Sequence, residues 1–324
     1  MDVWPQKLFS TLESAFEYCP LTPKEADEFV RLVPEASVVN EVARGMGIRE
    51  RDIDWLYPLS GGMTNNNYLF RVVGSAQSAG MYVVRIPGAG TSELIDRGRE
   101  QQCLQAIAEA DLDTRTCYLN PGRGIKVTQF ITGKTYQPDD VYGQRSLIIG
   151  LLKKLHQLPC RQVPHYSFDD ELSHYTQLAV DANAELPENW RQCVEQLQQW
   201  QSRLQPQVTC LCHNDLVPAN FIEGQDRLYL IDWEYAGKND PLFDIASCVN
   251  EAELPNEQGL QLLQDYLGHP PTLAEIERFH FWMTAQHLLW SIWAFYKVQA
   301  GDSTLKGYAV DRYRKAEAGL KACN

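Results

Sequence analysis

Positive charge is scarce in this chain: its 324 residues carry 29 Lys and Arg against 42 Asp and Glu, a formal net charge of −13. Binding of nucleic acid begins with a basic stripe, so this balance argues against such a partner. An acidic field suits a cationic small molecule, although solubility alone also accounts for it. The first twenty residues lack an apolar run of signal-peptide length, being interrupted by Asp2, Lys7, Glu13 and Glu17. A cytoplasmic protein is therefore expected. The most apolar stretch, residues 279–296, is broken by His280, Gln286, His287 and Ser291 and reads as a buried helix, not a membrane span. Nine cysteines form an odd set without disulfide-framework spacing, and Cys210 and Cys212, one residue apart, do not resemble a zinc knuckle. Reduced thiols are the expectation. Repeats and low-complexity tracts are also missing.

The chain does have a hydrophobic fraction of 44%, enough to core one large domain or two lobes around a hinge. Residues 21–51 read as helical, with Thr22, Pro23 and Glu25 at the start. Short β-type runs follow in IDWLYPL, NYLFRVV and MYVVRI, separated by Gly- and Ser-rich turns, which predicts three antiparallel strands. Residues 92–110 have helical character, and residues 116–119 and 125–131 predict another strand pair. Residues 141–157 open a mainly helical remainder, with Leu147, Ile148, Leu151, Leu152 and Leu155 expected on a buried face. Two short apolar runs, VTCLC and LYLI, interrupt the helices and lead into polar loops at His213 and Asp232, and loops at strand ends are where sites lie. The order is a small β-rich lobe followed by a larger helical one.

The most informative stretch is HNDLVPANFI, from His213, followed by IDWE, from Ile231. Phosphoryl transfer needs one carboxylate to receive the proton of an attacking hydroxyl, and an Asp with an Asn to hold Mg²⁺ against phosphates. Asp215, Asn220 and Asp232 supply those groups, with Asp215 and Asn220 the candidate catalytic residues and Asn220 and Asp232 the candidate metal ligands. Hard oxygen donors suit Mg²⁺, and the lack of clustered histidines argues against zinc. The bland alternative is a pair of Asx turns. Upstream, LSGGMTNNNYLF places Gly61 and Gly62 between predicted strands, where backbone N–H groups can approach a phosphate; a plain hairpin turn is the competing reading.

In order, spacing and flanking strands, H-N-D-x-x-x-x-N followed by I-D-W-E-Y resembles the motifs of choline/ethanolamine kinases and aminoglycoside phosphotransferases, within the protein-kinase-like superfamily. The resemblance implies an α+β, two-lobe fold with a small antiparallel N-lobe sheet and a larger, mainly helical C-lobe. It covers about residues 55–313. The implied division is an N-terminal helical extension at 1–50, a nucleotide-binding N-lobe at 51–132 and a catalytic, acceptor-binding C-lobe at 133–324. It implies ATP and Mg²⁺ as cofactors, Asp215 as the base, and His213 and Asp244 (in PLFDIA) as structural supports of the loop; a helix N-cap is the alternative for Asp244. The glycine loop becomes the nucleotide loop, with Thr64 and Asn65 near the phosphates. Where related folds carry a lysine, VVRIPG has Arg85, as bacterial choline kinase-like sequences do. Its permanent charge preserves a phosphate-binding role, with Glu100 as its orienting partner. VTQFITG resembles the inter-lobe linker, where Gln129 and Ile131 would meet adenine. His156, in LLKKLHQL, reads as a packed helix residue.

Trp290 and Trp293, three residues apart in LLWSIWAFY, share a helical face. A quaternary ammonium is recognised by aromatic faces and nearby carboxylates, and Tyr235 matches another aromatic position of the family. A tryptophan pair in an apolar helix is otherwise core. GYAVDRYRKA, which carries Tyr308 and Tyr313, resembles the segment that completes such a pocket in the family. The expected reaction is phosphorylation of a small cationic amino alcohol, choline first. Ethanolamine or thiamine are alternative acceptors, and a catalytically silent pseudokinase is the alternative of another class.

Overall fold

The computed structural model describes residues 33–59, 65–74, 78–88, 90–204 and 209–323, with the side chain of Ser92 excepted. The helix start expected at Thr22 to Glu25, and Gly61, Gly62 and Thr64 of the glycine loop, lie outside the described residues.

Helix α1 (Ala36–Met46) precedes strands β1 (Ile53–Leu59), β2 (Asn65–Val72) and β3 (Gly80–Pro87). Helix α2 (Arg97–Ile107) follows, then β4 (Thr116–Asn120) and β5 (Ile125–Gln129). The five strands form one antiparallel sheet in the order β1-β2-β3-β5-β4. Alternation of side chains across the pleat turns Phe70, Val72, Val84, Ile125 and Val127 toward Val38 and Val42 of α1, building a small core on one face. Glu41 of α1 closes its edge, accepting from Tyr118, Asn120 and Arg123.

Helix α2 is shorter than residues 92–110. Asp96 accepts from the backbone N–H groups of Gly98 and Arg99, and its extended backbone stops the helix from growing toward Thr91. The segment expected to be one helix at 141–157 is two, α3 (Pro138–Gly143) and α4 (Arg145–His156), meeting at Gln144. Leu147 is consequently 47% exposed, which corrects its expected core position, while Ile148, Leu151, Leu152 and Leu155 are buried.

The C-terminal part continues through β6 (Lys134–Thr135), α5 (Phe168–Asp181), α6 (Trp190–Gln201), β7 (Cys210–Cys212), β8 (Phe221–Glu223), β9 (Leu228–Leu230) and β10 (Gly237–Asn239). Helices α7 (Pro241–Glu251), α8 (Asn256–Leu267), α9 (Leu273–Gln299) and α10 (Lys306–Cys323) complete it. Two small sheets, β10-β7 and β6-β8-β9, bracket the loops that carry the polar motifs. The apolar stretch at 279–296 lies within α9, whose start is fixed by a capping box between Thr272 and Glu275. The fold is thus α+β, with an antiparallel N-terminal sheet and a helical C-terminal lobe.

Cys103 Sγ of α2 donates to the carbonyl of Ala236 at 3.2 Å, and α2 shares the main apolar core with α4 and α7. The helix thereby joins the two lobes. Among the described residues, no helix is long and apolar enough to cross a membrane. The eight described cysteines are free thiols.

Candidate active site

The loop between β7 and β8 is built around Asp244. Its carboxylate accepts from the backbone N–H of His213 (2.9 Å) and of Asn214 (2.7 Å), and lies 3.0 Å from His156 Nε2. The N-cap of α7 is Asp240, which accepts from the N–H of Leu242 at 2.9 Å, so Asp244 is not the cap. Asn214 takes the left-handed conformation (φ 67°), and its side chain donates to the carbonyl of Tyr235 and accepts from Asn239. His213 Nε2 lies 3.0 Å from the Ile231 carbonyl, and Nδ1 accepts from the N–H of Asp215. That pair of partners defines a neutral imidazole with its proton on Nε2. Burial lowers the His213 pKa to about 4.

Asp215 follows directly on this turn, within electrostatic reach of Asp232 and Glu234. Burial pushes its carboxyl well above the ordinary aspartate range, as does repulsion from Glu251, Asp232 and Glu234, with Arg312 opposing. Asn220 donates through Nδ2 to the Asp215 carbonyl at 2.9 Å, leaving its amide oxygen as the metal-type donor. The N–H of Ile231 donates to the Asn220 carbonyl, which draws the second acidic loop alongside the first. Asp232 then turns through a left-handed φ of 69°. Its Oδ1 is buried without a hydrogen bond, 3.6 Å from the Arg85 guanidinium. A buried carboxylate oxygen without a hydrogen bond, on the loop that Asn220 draws alongside its own, together with the Asn220 amide oxygen offers hard donors of the kind that suit a divalent cation.

Above these loops lies a buried ionic network. Arg85, 5% exposed, pairs with both oxygens of Glu100 (2.6 and 2.8 Å) and reaches Glu234 Oε1 at 2.9 Å. Arg97 bridges Glu100 (3.1 Å) and Glu234 (2.6 Å), and Lys126, the cross-strand partner of Arg85, lies 3.2 Å from Glu100. Burial alone would raise the Glu100 carboxyl; Lys126, Arg85 and Arg97 instead hold it far below the usual range. Asn65 donates to Glu234 at 2.6 Å, which brings the end of the glycine loop down onto the second acidic loop. Arg97, Lys126 and Glu234 had not been assigned as site residues. Arg97 stands three residues before Glu100 on one helix, a readable signal; Lys126 depends on strand register and Glu234 on how the lobes meet.

At the linker, the Gln129 N–H donates to the Arg115 carbonyl and its own carbonyl accepts from Thr114 Oγ1. Its main-chain groups are therefore already engaged, and Ile131, two residues on, is the better-placed candidate. Asp113 accepts from the Thr114 N–H, and its pKa is raised to about 7 by burial, with Asp232 and Glu100 contributing and Lys126 opposing.

Tyr235, within electrostatic reach of Asp215, meets Trp290 edge-on at 5.2 Å, and Trp290 meets Trp293 at 6.1 Å and 89°. All three are at most 5% exposed, and Trp293 Nε1 is buried with no hydrogen-bond partner. Tyr308 lies within the electrostatic reach of Asp215, whereas Tyr313 turns away to Asn189 and Cys193. The structure thus ties Asp215 to Asn220 and Asn220 to the loop of Asp232, joins Asp232, Arg85, Glu100, Glu234 and Asn65 in one polar network, and packs Tyr235, Trp290 and Trp293 together. His156, Cys210 and Cys212 bring three ligand-type atoms within 4.8 Å, but both ring nitrogens of His156 are engaged, by Asp244 and by the Tyr266 hydroxyl at 2.7 Å.

A family model described as choline/ethanolamine kinase matches residues 56–263. Protein LicA of Haemophilus influenzae is 30% identical over 261 residues, covering 77% of this chain and 96% of its own. The structure of choline kinase LicA from Streptococcus pneumoniae superposes with a TM-score of 0.74 at 28% identity, covering 88% of this chain and 98% of that one. A structure of LicA in complex with AMP gives a TM-score of 0.75 at 27% identity, over 89% and 98% of the two chains. The chain belongs to the choline/ethanolamine kinase family, a family of small-molecule kinases.

Proposed function

We propose that the chain transfers the γ-phosphoryl group of ATP to the hydroxyl of a small cationic amino alcohol, choline in particular, giving ADP and phosphocholine. What supports this reading is the set of groups around Asp215: Asn220 donates to its carbonyl, Asp232 and Glu234 act on its carboxyl, and Tyr235, packed edge-on against Trp290, lies within its electrostatic reach. In this reading Asp215 orients the acceptor hydroxyl and takes its proton as the oxygen bonds to phosphorus. Its raised pKa suits a group that must receive a proton. The bond from phosphorus to the bridging oxygen then breaks and ADP leaves. Asn220 and Asp232 would hold Mg²⁺, which neutralises charge on the phosphates. His213 and Asp244 keep the loop in shape.

Nucleotide binding is supported by the AMP complex of LicA and by the site's cations. The terminal nitrogens of Arg85 are already engaged by Glu100, Glu234 and the Gly124 carbonyl, so its proposed role is to give the upper lobe a fixed positive face while Gly61, Gly62, Thr64 and Asn65 approach the phosphates and Ile131 the adenine. Residues 51–132 are taken as the nucleotide lobe and 133–324 as the acceptor lobe, with 1–50 as an extension. Ethanolamine is a second acceptor, favoured by the unpartnered Oε1 of Glu251, which can accept an N–H. A silent pseudokinase is countered by the presence of Asp215, Asn220 and Asp232 together.

The test is ADP release from Mg·ATP with choline, ethanolamine and thiamine supplied separately. Saturable turnover with choline is expected, lowered at least about 1,000-fold by Asp215→Ala, with Trp290→Ala raising the choline KM. Turnover with thiamine alone would overturn the acceptor, and none with any cationic alcohol would overturn the kinase reading.

A further inference from the structure

Two of the free thiols meet immediately before the loop that carries Asp215. Cys210 and Cys212 are the first and last residues of β7, so their side chains fall on one face of the strand, and their sulfurs lie 3.6 Å apart. Cys210 is half-buried and Cys212 buried. Cys212 Sγ donates to the Asn239 carbonyl at 3.5 Å, and the Asn239 side chain donates in turn to Asn214 Oδ1 at 2.9 Å, one residue from Asp215. The two sulfurs and a ring nitrogen of His156 lie within 4.8 Å of one another. His156 Nε2 is 3.0 Å from the Asp244 carboxylate that accepts from the N–H groups of His213 and Asn214. A change in β7 therefore reaches the Asp215 loop along the chain itself, through Asn239 and through Asp244.

We propose that Cys210 and Cys212 are an oxidation site, a dithiol that hydrogen peroxide closes to a disulfide and that disables the adjoining Asp215 loop until it is reduced. Residues two apart in a strand have Cα atoms about 6.6 Å apart, inside the span of roughly 4.4–6.8 Å that a disulfide bridges but above its preferred value of about 5.5–6 Å. The pair can close, and closing it draws in β7, which pairs with β10 in a two-stranded sheet. Cys210, the more accessible thiol, reacts first. Having given its proton to water, its sulfur attacks one peroxide oxygen, the O–O bond breaks, and the departing hydroxide takes up a proton to become water, leaving a sulfenic acid. The Cys212 sulfur then bonds to the Cys210 sulfur, the S–O bond breaks, and the Cys212 proton leaves with the hydroxide as a second water. The two thiols lose two electrons and the peroxide gains them. Burial pushes the Cys212 thiol well above its ordinary pKa, so it is the second to act and not the first. The disulfide carries no S–H, and the bond from Cys212 to the Asn239 carbonyl goes with it.

The test treats the reduced full chain with hydrogen peroxide, alkylates the thiols that remain, and maps by mass spectrometry the tryptic peptide that carries both cysteines, alongside ADP release from Mg·ATP with the acceptor that the wild type turns over. In the wild type this peptide should lack both alkyl groups and two hydrogens, turnover should fall about 10-fold or more, and dithiothreitol should reverse both changes. Cys210→Ser should keep the activity of the reduced wild type and resist peroxide. Cys212→Ser should stop at the sulfenic acid, trapped on Cys210 by dimedone. Both cysteines alkylated after peroxide, a 210–212 disulfide with undiminished turnover, or equal inactivation of Cys210→Ser and wild type would each overturn the proposal. The peptide map does not depend on which alcohol is phosphorylated, so failure of the choline reading and failure of this one are told apart.

Discussion

Glu100 receives three cations from three different elements: Lys126 from β5, Arg85 from β3 and Arg97 from its own helix. A buried carboxylate in this position holds its partners by Coulomb attraction in a poorly screened interior, and its removal leaves charges uncompensated. Glu100→Ala should lower the unfolding free energy by about 3–5 kcal/mol, read as a reduced urea midpoint, and weaken nucleotide binding with it. His213 gives a prediction with a worked sign. Its folded pKa, about 4, lies below the ordinary value of 6.5, so its stabilising contribution is complete above 6.5 and is lost as pH falls toward 4. Going from pH 7 to pH 5, the wild type should lose about 2 kcal/mol more stability than His213→Gln. At this scale the sequence was readable where roles sit within a few residues of each other, as for Asp215, Asn220 and Asp232. Lys126, Glu234 and Glu251 were not readable, because their partners are set by strand register and by helix packing across long separations.

Helices α9 and α10 pack against each other, and Gly319 sets their approach. A Cβ on Gly319 would lie 2.1 Å from Thr284 Oγ1 and 2.9 Å from its Cγ2. Alanine for glycine in a helix ordinarily gains roughly 0.5–1 kcal/mol, but overpacking costs about 1–3 kcal/mol. Thr284 is buried and its hydroxyl donates to the His280 carbonyl at 2.9 Å, so it has little freedom to yield. Gly319→Ala should therefore destabilise, with a lower thermal midpoint, and Thr284→Ala added to it should restore part of the loss. The strands IDWLYPL and MYVVRI and the long helix α9 were legible from alternation and from apolar content. The start of α2 was misread because Asp96, by capping, outweighs the helical character of the residues before it. The break at Gln144 was missed because the periodicity runs through it, and Leu147 was drawn into the core by the same continuity.

Across the whole molecule, α2 ties the lobes through Cys103 to Ala236 and Arg97 to Glu234, so the cleft is bounded by contacts of opposite charge and by shared apolar core. Breaking one such tie should loosen the approach of the upper lobe more than it unfolds either lobe. Arg97→Met should raise the ATP KM several-fold at saturating choline, with little change in the choline KM at saturating ATP. Part of the carboxylate excess gathers around Asp215, whose proton affinity is raised by burial and by Glu251, Asp232 and Glu234. Two-lobed order was legible from the succession of strand and helix patterns, while the inter-lobe ion network was not, since no local pattern encodes which charges meet across a cleft. The central claim is that this cleft transfers a phosphoryl group to the hydroxyl of a cationic alcohol. Its most direct test is ³¹P NMR of the protein with Mg·ATP and choline. The account predicts a phosphomonoester resonance growing in step with ADP and missing with Asp215→Asn; inorganic phosphate as the only new signal, or the same product from Asp215→Asn, would contradict it.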